Sequence, residues 1–432
     1  MGVFSAIAAT FNFIRAALLF AGGGALGSTL AGTIAATAAA AVITGAVVYG
    51  VGRGVARAMA PDFPSGTTGL NGGVRQQLAP NTGYRVPVVY GHAFQQGIIT
   101  DAAISSDNQT MTYVLTLGEK TTGTTTLGNV FFNDKRLVFT GNSASVTSTV
   151  DEDGTSSTDF AGNVEVYVWD GDGDSANALR GSVDAHTLVS HWGSNEKNSN
   201  TIFSIVKVTY DPEAQLTGLG TMTYELTNSL DNPANVIVDY LNSDIYGAGI
   251  SNADIDMNAI SDLHTYSNET ISYTDTGGSS ATQKRYTMNG VANTGEDVRT
   301  NLDRMLTACN SFFTFNPKSG KWKITPNKAE SNANLANAFV FSDDNIVSDI
   351  KLSTTALDGS YNSVEVEFPD KDQKDKNNYT TIDLPSNLRE ANEPDNQMSI
   401  RMEFVNNNVQ AEYLANQQLR QTREDLVAQF TA

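Results

Sequence analysis

The first 60 residues constrain the fold most, because they combine small apolar side chains with almost no charge. Residues 16–52 contain no charged side chain over 37 positions. One continuous helix of that length would be about 55 Å long, whereas the hydrocarbon core of a bilayer is about 30 Å thick. The glycine run Gly22–Gly24 divides the stretch and therefore predicts two helices. Such a segment must be buried, either in lipid or in protein.

Three interpretations of this segment compete. A cleaved secretory signal is the weakest, because Arg15 interrupts the first apolar run and the apolar region is too long. A membrane-inserting segment fits the length and the spacing of small residues, as in Gly23–Gly27 and Ala31–Ala35. A helix pair packed against copies of itself inside a protein assembly fits the same spacing. We predict a structural helix bundle, with membrane contact through residues 16–52 as a hypothesis.

Charge and cysteine content exclude several classes of protein. The chain has 27 Lys and Arg against 47 Asp and Glu, a formal net charge of −20. That balance argues against a nucleic-acid-binding surface, which needs clustered basic residues. Cys309 is the only cysteine, which excludes an internal disulfide and any cysteine-built zinc or iron–sulfur site. Because Cys309 falls on the apolar stripe of a predicted helix, we expect a buried core residue.

After a Gly- and Pro-rich linker at 61–84, residues 85–230 have the alternating pattern and turn residues of an all-β domain. We expect Ser143–Gly162 to be a polar, exposed loop. Asn133-Asp134 is placed at the tip of a hairpin. The predicted strands, about seven in all, lie at 85–91, 98–104, 111–117, on both sides of that tip within 128–139, and at 164–169, 202–210 and 221–226.

Residues 231–335 predict a mixed α/β unit. Asn232 and Pro233 open one helix, and Ser251, with Asp254 in capping-box position, opens a second. Residues 268–283 are a polar loop or hairpin. The remaining elements are a strand at 286–291, a helix with Thr294 as N-cap and Asp297 in capping-box position, and strands at 312–315 and 322–325 joined by a turn at 317–320.

Residues 336–432 return to a β pattern. The charged stretch 369–378 is predicted to be a solvated turn. The final strand has no partner downstream, so we expect the sequence to end partway through a domain. The fold class is therefore α+β, mostly β, behind the N-terminal apolar helices. The predicted elements are strands at 345–352, 361–368, 398–404 and 426–431 and a helix at 408–423.

Two constellations resemble metal sites and are set aside. Asp170, Asp172 and Asp174 occupy positions 1, 3 and 5 of a calcium loop, but Ser175 stands where glycine is required and Gly181 where glutamate is required. A turn rich in Asp and Gly explains them better. His186 and His191 flank an apolar pair and have no third ligand nearby. Catalytic serine, phosphate-loop and dinucleotide-binding motifs are missing. We therefore assign no catalytic, cofactor-binding or metal-ligating residue, and expect no enzyme.

Six passages, in the same order, resemble the central tail hub, or tail-tip, proteins of long-tailed phages: the lambda-type tip attachment protein J family and the hubs of gene transfer agents. No single passage is specific, but together they span most of the chain after the linker. The passages are RVPVVYG at 85–91, LGNVFFNDKRL at 127–137, NPANVIVDYLNSDIYGAGISNADID at 232–256, residues 284–324, the pair DNIVSDIKLS at 344–353 and YNSVEVEFPD at 361–370, and QAEYLANQQLRQTR at 410–423.

The resemblance implies a homotrimeric hub that closes the distal end of the tail tube in the virion. It implies a first hub β-barrel domain at 85–230, a mixed α/β domain at 231–335 and the start of a second barrel at 336–432. The implied partners are a distal tail protein ring, the tape-measure protein, and tail fibre or receptor-binding parts. DNA would meet the chain only in transit through the lumen.

The chain departs from the family in two ways, which keep other functions open. Family members continue beyond the helix at 408–423, and the apolar segment at 1–60 is not part of the hub pattern. In a trimer, that segment would plug the lumen and help to open a path through the host membrane during genome ejection. The alternative function is a membrane-anchored β-rich surface or secreted adhesion module. A cell-wall hydrolase carried on a tail is the third.

Overall fold

A computed structural model describes residues 84–275, 277–329, 361–389 and 393–423, with shorter pieces at 336, 338, 340–342, 344–354 and 426–431. The predicted apolar segment at 1–60 and the linker up to residue 83 lie outside these ranges. Within them the chain is α+β and mostly β, as the sequence pattern predicts. Two β-sheets form the first half, and helices with smaller sheets form the second.

The first sheet of the N-terminal half has five antiparallel strands in the order β10-β9-β11-β4-β3. Its central strand, β11, pairs with β4 and β9 along almost its whole length, and Val206 and Val208 of β11 are fully buried. The strands are β3 (Ile98–Ile104), β4 (Thr110–Glu119), β9 (Val164–Gly171), β10 (Ala178–Arg180) and β11 (Thr201–Thr209).

The second sheet has six antiparallel strands in the order β2-β12-β5-β6-β7-β8. Apolar side chains of both sheets form one core, in which Tyr113, Val166 and Tyr224 are fully buried. The two sheets therefore make one sandwich. The strands are β2 (His92–Gln95), β5 (Thr125–Phe132), β6 (Lys135–Phe139), β7 (Val146–Val150), β8 (Ser156–Ser157) and β12 (Met222–Asn228).

The turn at Asn133-Asp134 is confirmed, but the loop predicted at Ser143–Gly162 is wrong in part. Both turn residues have positive φ, 48° and 65°, as a two-residue hairpin turn requires. The supposed loop contributes β7 and the short edge strand β8, and Val146 and Thr149 are buried. Its Ser- and Thr-rich composition concealed strands because edge strands tolerate polar residues on the solvent face.

The chain passes from the second half into the sandwich at Gly91. Strand β1 (Val88–Tyr90) pairs with β15 (Gly290–Ala292) of the second half, and β2 begins one residue after Gly91 in the sandwich. Gly91 has φ +55°, and a Cβ built there would lie 2.2 Å from the carbonyl oxygen of Met288. The strand predicted over 85–91 therefore ends at a position that only glycine fits.

The first helix of the second half begins where predicted, and the second begins later. Asn232 caps α1 (Pro233–Asn242) as expected. Ser251 caps only a short 3-10 turn at Asn252–Asp254, and Asp256 caps α2 (Met257–Asn268) by accepting from the amides of Asn258 and Ala259. The choice of Ser251 was wrong because another capping residue follows five positions later, and the apolar stripe fits either start. The polar stretch after α2 is the hairpin β13 (Thr270–Thr274) and β14 (Ser280–Lys284).

The predicted N-cap Thr294 is also wrong. Helix α3 (Val298–Ala308) begins after Asp297, and the Thr294 hydroxyl donates to the carbonyl oxygen of Val86, 2.7 Å away. Thr294 therefore fastens the chain before β1 rather than a helix. The strand predicted at 286–291 shrinks to β15. The pair that follows α3 is confirmed as the hairpin β16 (Ser311–Asn316) and β17 (Lys321–Pro326).

The C-terminal part has a three-stranded sheet, a helix and a two-stranded ribbon. Strand β19 (Ser363–Asp370) lies between β20 (Lys376–Asp383), which is antiparallel, and β21 (Gln397–Arg401), which is parallel. Helix α4 (Asn408–Gln421) follows. The last strand, β22 (Leu426–Gln429), pairs with β18 (Lys351–Thr354), so its partner lies upstream.

One continuous core joins the elements from β1 to α4. Buried side chains of α1, α2, α3, β19 and α4 belong to the same cluster, including Tyr240, Leu263, Met305, Val366 and Leu414. This cluster crosses the boundary predicted between residues 335 and 336. The three predicted domain ranges stay a prediction.

Candidate assembly surfaces

The acidic loop after β9 is held by the protein itself. A Lys120–Asp170 ion pair closes one end, and Lys197 Nζ lies 2.6 Å from Asp174 Oδ2. Asp172 Oδ1 accepts from the side-chain amide of Asn177 at 2.6 Å and from the Asp174 amide. Within the described ranges, no group of three or more His, Cys, Asp or Glu side chains is arranged to hold a metal ion.

The two neighbouring histidines have different surroundings. His186 lies in a short 3-10 helix, Ala185–Thr187. His191 Nε2 lies 2.7 Å from Asp101 Oδ2 on β3, and the indole nitrogen of Trp192 donates to the same oxygen at 2.7 Å. His191 and Trp192 therefore attach the segment after this 3-10 helix to strand β3.

A second histidine pair was missed by the sequence reasoning. His92 Nε2 lies 2.9 Å from Glu225 Oε1, between the paired strands β2 and β12. The hydrogen bond with His92, supported by the amide of Asn129, lowers the pKa of Glu225 to about 2. The two residues are 133 positions apart, so no local motif announces them.

Cys309 has no reactive thiol. It is fully buried at the end of α3, as the helical pattern predicts, and burial raises the pKa of its thiol to about 12. Its Sγ lies 3.5 Å from the carbonyl oxygen of Met305. The thiol therefore stays protonated and packs as a small apolar group.

Asp239 of α1 connects the sandwich to the second half. Its Oδ2 accepts from the hydroxyls of Tyr90 at 2.8 Å and Tyr246 at 2.9 Å, and its Oδ1 accepts from the amide and hydroxyl of Thr122 in the β4–β5 loop. Burial, and then the charge of Asp239, raise the pKa of Tyr90. The one sequence signal for this site is an acid on an apolar helix face, next to Tyr240.

The turn between β19 and β20 makes a second connection. The prediction that it is solvated is confirmed for the exposed residues 371–373 and 376 and is wrong for Asp375. Asp375 is only 3% exposed, and its Oδ2 accepts from the amide of Phe94 at 2.7 Å. Lys374 lies 4.5 Å from the ring centre of Phe131 and 3.5 Å from a carboxylate oxygen of Glu152. We call residues 363–383 the anchored hairpin. The burial of Asp375 could not be predicted from this charged sequence, because Asp375 and Lys374 bond to residues of the sandwich.

The hairpin of residues 311–326, which we call the basic hairpin, has a different surface. Its outer half, from Thr314 to Gly320, is exposed, whereas Ile324 near its base is buried in the core. Lys318, Lys321 and Lys323 lie within six residues, and the hairpin contains no acid. The Trp322 ring stacks on Phe313 at 4.7 Å and contacts Phe315 edge-on at 5.1 Å.

Strand β18 and the described residues that precede it expose apolar side chains. The exposed fractions are 74% for Val340, 76% for Val347, 52% for Ile350 and 64% for Leu352. A hydrogen bond from the amide of Val347 to Thr431 extends the pairing of β18 with β22. In the part of the chain that the structure describes, no helix is both long enough and apolar enough to span a membrane.

Buried hydrogen bonds of Asp239 and Asp375 therefore join the sandwich to the second half, and the basic hairpin and the β18 region expose lysines and apolar side chains. Searches with the sequence against protein-family models and against curated proteins find no match. Among solved structures, a chain of the virion of a native gene transfer agent particle is similar, with a TM-score of 0.52 and 12% sequence identity. The match covers 84% of this chain and 78% of that one. The likeness is one of fold.

Proposed function

We propose that this chain is a structural component of a phage-type particle, and that it forms the hub of the tail tip. The observation that carries the proposal is the fold shared with a virion chain over 84% of this chain. Six hub-like passages in family order support the finer assignment. A shared fold alone leaves function open, so the position in the particle is the part to be tested.

In this proposal, three copies close the distal end of the tail tube. They contact a distal tail protein ring above and fibre or receptor-binding parts below, with the tape-measure protein in the lumen. The hub acts by shape and symmetry and catalyses no reaction. The internal bonds of Asp239 with Thr122 and of Asp375 with Phe94 support this role, because they fix the sandwich to the second half. DNA passes through only in transit.

The test is an image of the assembled particle in which this chain carries a label. The proposal predicts label at the distal end of the tail, in threefold symmetry. A chain found only in the host envelope would instead support the membrane-anchored adhesion module, and cell-wall hydrolysis by the purified chain would support an enzyme.

A separate deletion tests the role proposed for the N-terminal segment. Removal of residues 1–60 is expected to leave particles that assemble normally and fail to deliver the genome. Normal delivery would refute both the plug and the host membrane contact through residues 16–52. The hub assignment would be unaffected.

A further inference from the structure

The basic hairpin carries a local charge opposite to that of the whole chain. Lys318, Lys321 and Lys323 give it three positive charges and no negative one, whereas the chain has a formal net charge of −20. None of the three lysines lies within ion-pair distance of a carboxylate in the described ranges. The described residues therefore leave these three charges without a carboxylate partner.

The hairpin is also held in one shape. Trp322 and Phe313 stack with their ring planes 4° apart, and Phe315 packs against the edge of that stack. The amide of Asp256 donates to the carbonyl oxygen of Trp322 at 2.8 Å, which ties β17 to the start of α2. A surface fixed before binding loses little conformational entropy on association.

Phe315 supplies an apolar contact at the exposed end. Its side chain is 40% exposed, next to the lysine-bearing turn. Aromatic side chains inside a polar rim are the usual anchors of protein–protein interfaces. In addition, among the described residues β16 pairs with a strand along one edge only, and an unpaired edge is a surface on which another chain can add.

We infer that the basic hairpin docks on an acidic surface of a second copy of this chain. The inference rests on the proposed function, in which several copies assemble. Copies with a net charge of −20 repel one another. A basic projection that meets the acidic surface of a neighbour supplies local complementarity and fixes the orientation of the contact. One patch on another is a heterologous contact, which closes into a ring when the rotation between neighbouring copies is a whole fraction of a turn, as the proposed trimer requires.

Nucleic acid fits the hairpin less well. Proteins that bind single-stranded nucleic acid use basic side chains and exposed aromatic rings, and the hairpin has three lysines and one such ring. The acidic remainder of the chain, however, repels phosphates approaching from any other side. A neighbouring copy instead presents carboxylates on a folded surface, and these can approach the three lysines of the hairpin directly.

The chain offers a matched control for the test. Lys371, Lys374 and Lys376 of the anchored hairpin have the same spacing as Lys318, Lys321 and Lys323, but acids lie between them. The test variant is Lys318→Glu with Lys321→Glu. The control is Lys371→Glu with Lys376→Glu, two exposed lysines, while Lys374 stays in place because it contacts Phe131.

Assembly of the full-length chain is measured by sedimentation at several salt concentrations. We expect the test variant to weaken assembly about tenfold, with little effect of the control, and the difference between the two variants to shrink as salt screens the lysines. Carbodiimide coupling of mixed ¹⁴N- and ¹⁵N-labelled copies should link a hairpin lysine to an acid of the other copy. Assembly and couplings that do not involve the hairpin would overturn the inference.

Two outcomes separate this inference from the proposed function. If the test variant still forms wild-type rings, the docking site is wrong and the hub assignment stands. If the wild-type chain stays single both in solution and on particles, the hub assignment itself fails, and the inference fails with it. Loss of binding to single-stranded DNA in the test variant, with assembly intact, would assign the hairpin to nucleic acid instead.

Discussion

Two hairpins of this protein carry lysines at the same spacing and use them in opposite ways. In the anchored hairpin, acids lie between the lysines, Asp375 is buried against Phe94, and Lys374 packs on Phe131. In the basic hairpin no acid is present, and the outer half is exposed. Lysine spacing alone therefore predicts neither burial nor exposure. A hairpin of this kind is buried when acids between its lysines, such as Asp375, find hydrogen-bond donors on a neighbouring part of the chain.

The largest expected effect comes from breaking the anchored hairpin. Asp375→Ala leaves the buried amide of Phe94 without its acceptor and places alanine at φ +60°. We expect the free energy of unfolding, measured by urea titration, to fall by about 3 kcal/mol. Asp372→Ala, an exposed acid of the same turn, should cost less than about 0.5 kcal/mol. Equal losses would mean that the turn is not anchored through Asp375.

The aromatic stack of the basic hairpin is the next test. Trp322→Ala removes the contacts with Phe313 and Phe315, and we expect a loss of about 2 kcal/mol because the indole is only partly buried. The control is Tyr379→Ala on the anchored hairpin, whose side chain is 57% exposed. It should cost less than about 1 kcal/mol. A loss for Trp322→Ala no greater than this would show that the basic hairpin is not held rigidly.

Acid titration separates charges paired within the chain from unpaired ones. Because the pKa of Glu225 is about 2 when folded and 4.5 ordinarily, its pair with His92 stabilises the protein above pH 4.5. That stability is lost as the pH falls from 4.5 towards 2. Glu225→Gln should remove about 1 kcal/mol at pH 6, and the deficit should shrink on acidification. Lys318→Gln should change neither value; a deficit for Glu225→Gln that is constant with pH would contradict the pairing.

The smallest expected effect is on the stability of the single chain. Lys318→Gln with Lys321→Gln removes two charges that form no ion pair with the described residues, so the free energy of unfolding should stay within about 0.5 kcal/mol of wild type. Lys371→Gln with Lys376→Gln should behave alike. A larger loss for the first pair would show that these lysines are needed for folding, and effects on assembly would then not identify a docking surface.

Local signals predicted much of the fold. The span of β3 is the one predicted, and so is the turn at Asn133-Asp134, because alternation and turn residues are written in neighbouring positions. Two helix starts were predicted too early. Thr294 bonds to the distant Val86 instead of capping a helix, and Ser251 caps a short 3-10 turn that precedes the helix. The strands β7 and β8 were missed because edge positions accept the polar residues of a loop.

The candidate surfaces were harder to predict than the fold. The burial of Asp375 depends on Phe94, 281 residues away, and the His92–Glu225 pair on a strand pairing that no motif encodes. Such contacts arise only when distant elements meet. The basic hairpin, by contrast, is visible in the sequence as lysines without acids. Its exposure is what the structure adds.

The most direct test of the account is the position of this chain in an assembled particle. Electron microscopy of particles with a label on the chain should show threefold density at the distal end of the tail. Particles carrying Lys318→Glu with Lys321→Glu should show that density weakened or lost, and the control pair should leave it unchanged. Label along the tail tube, on the head, or absent from the particle would contradict the hub assignment.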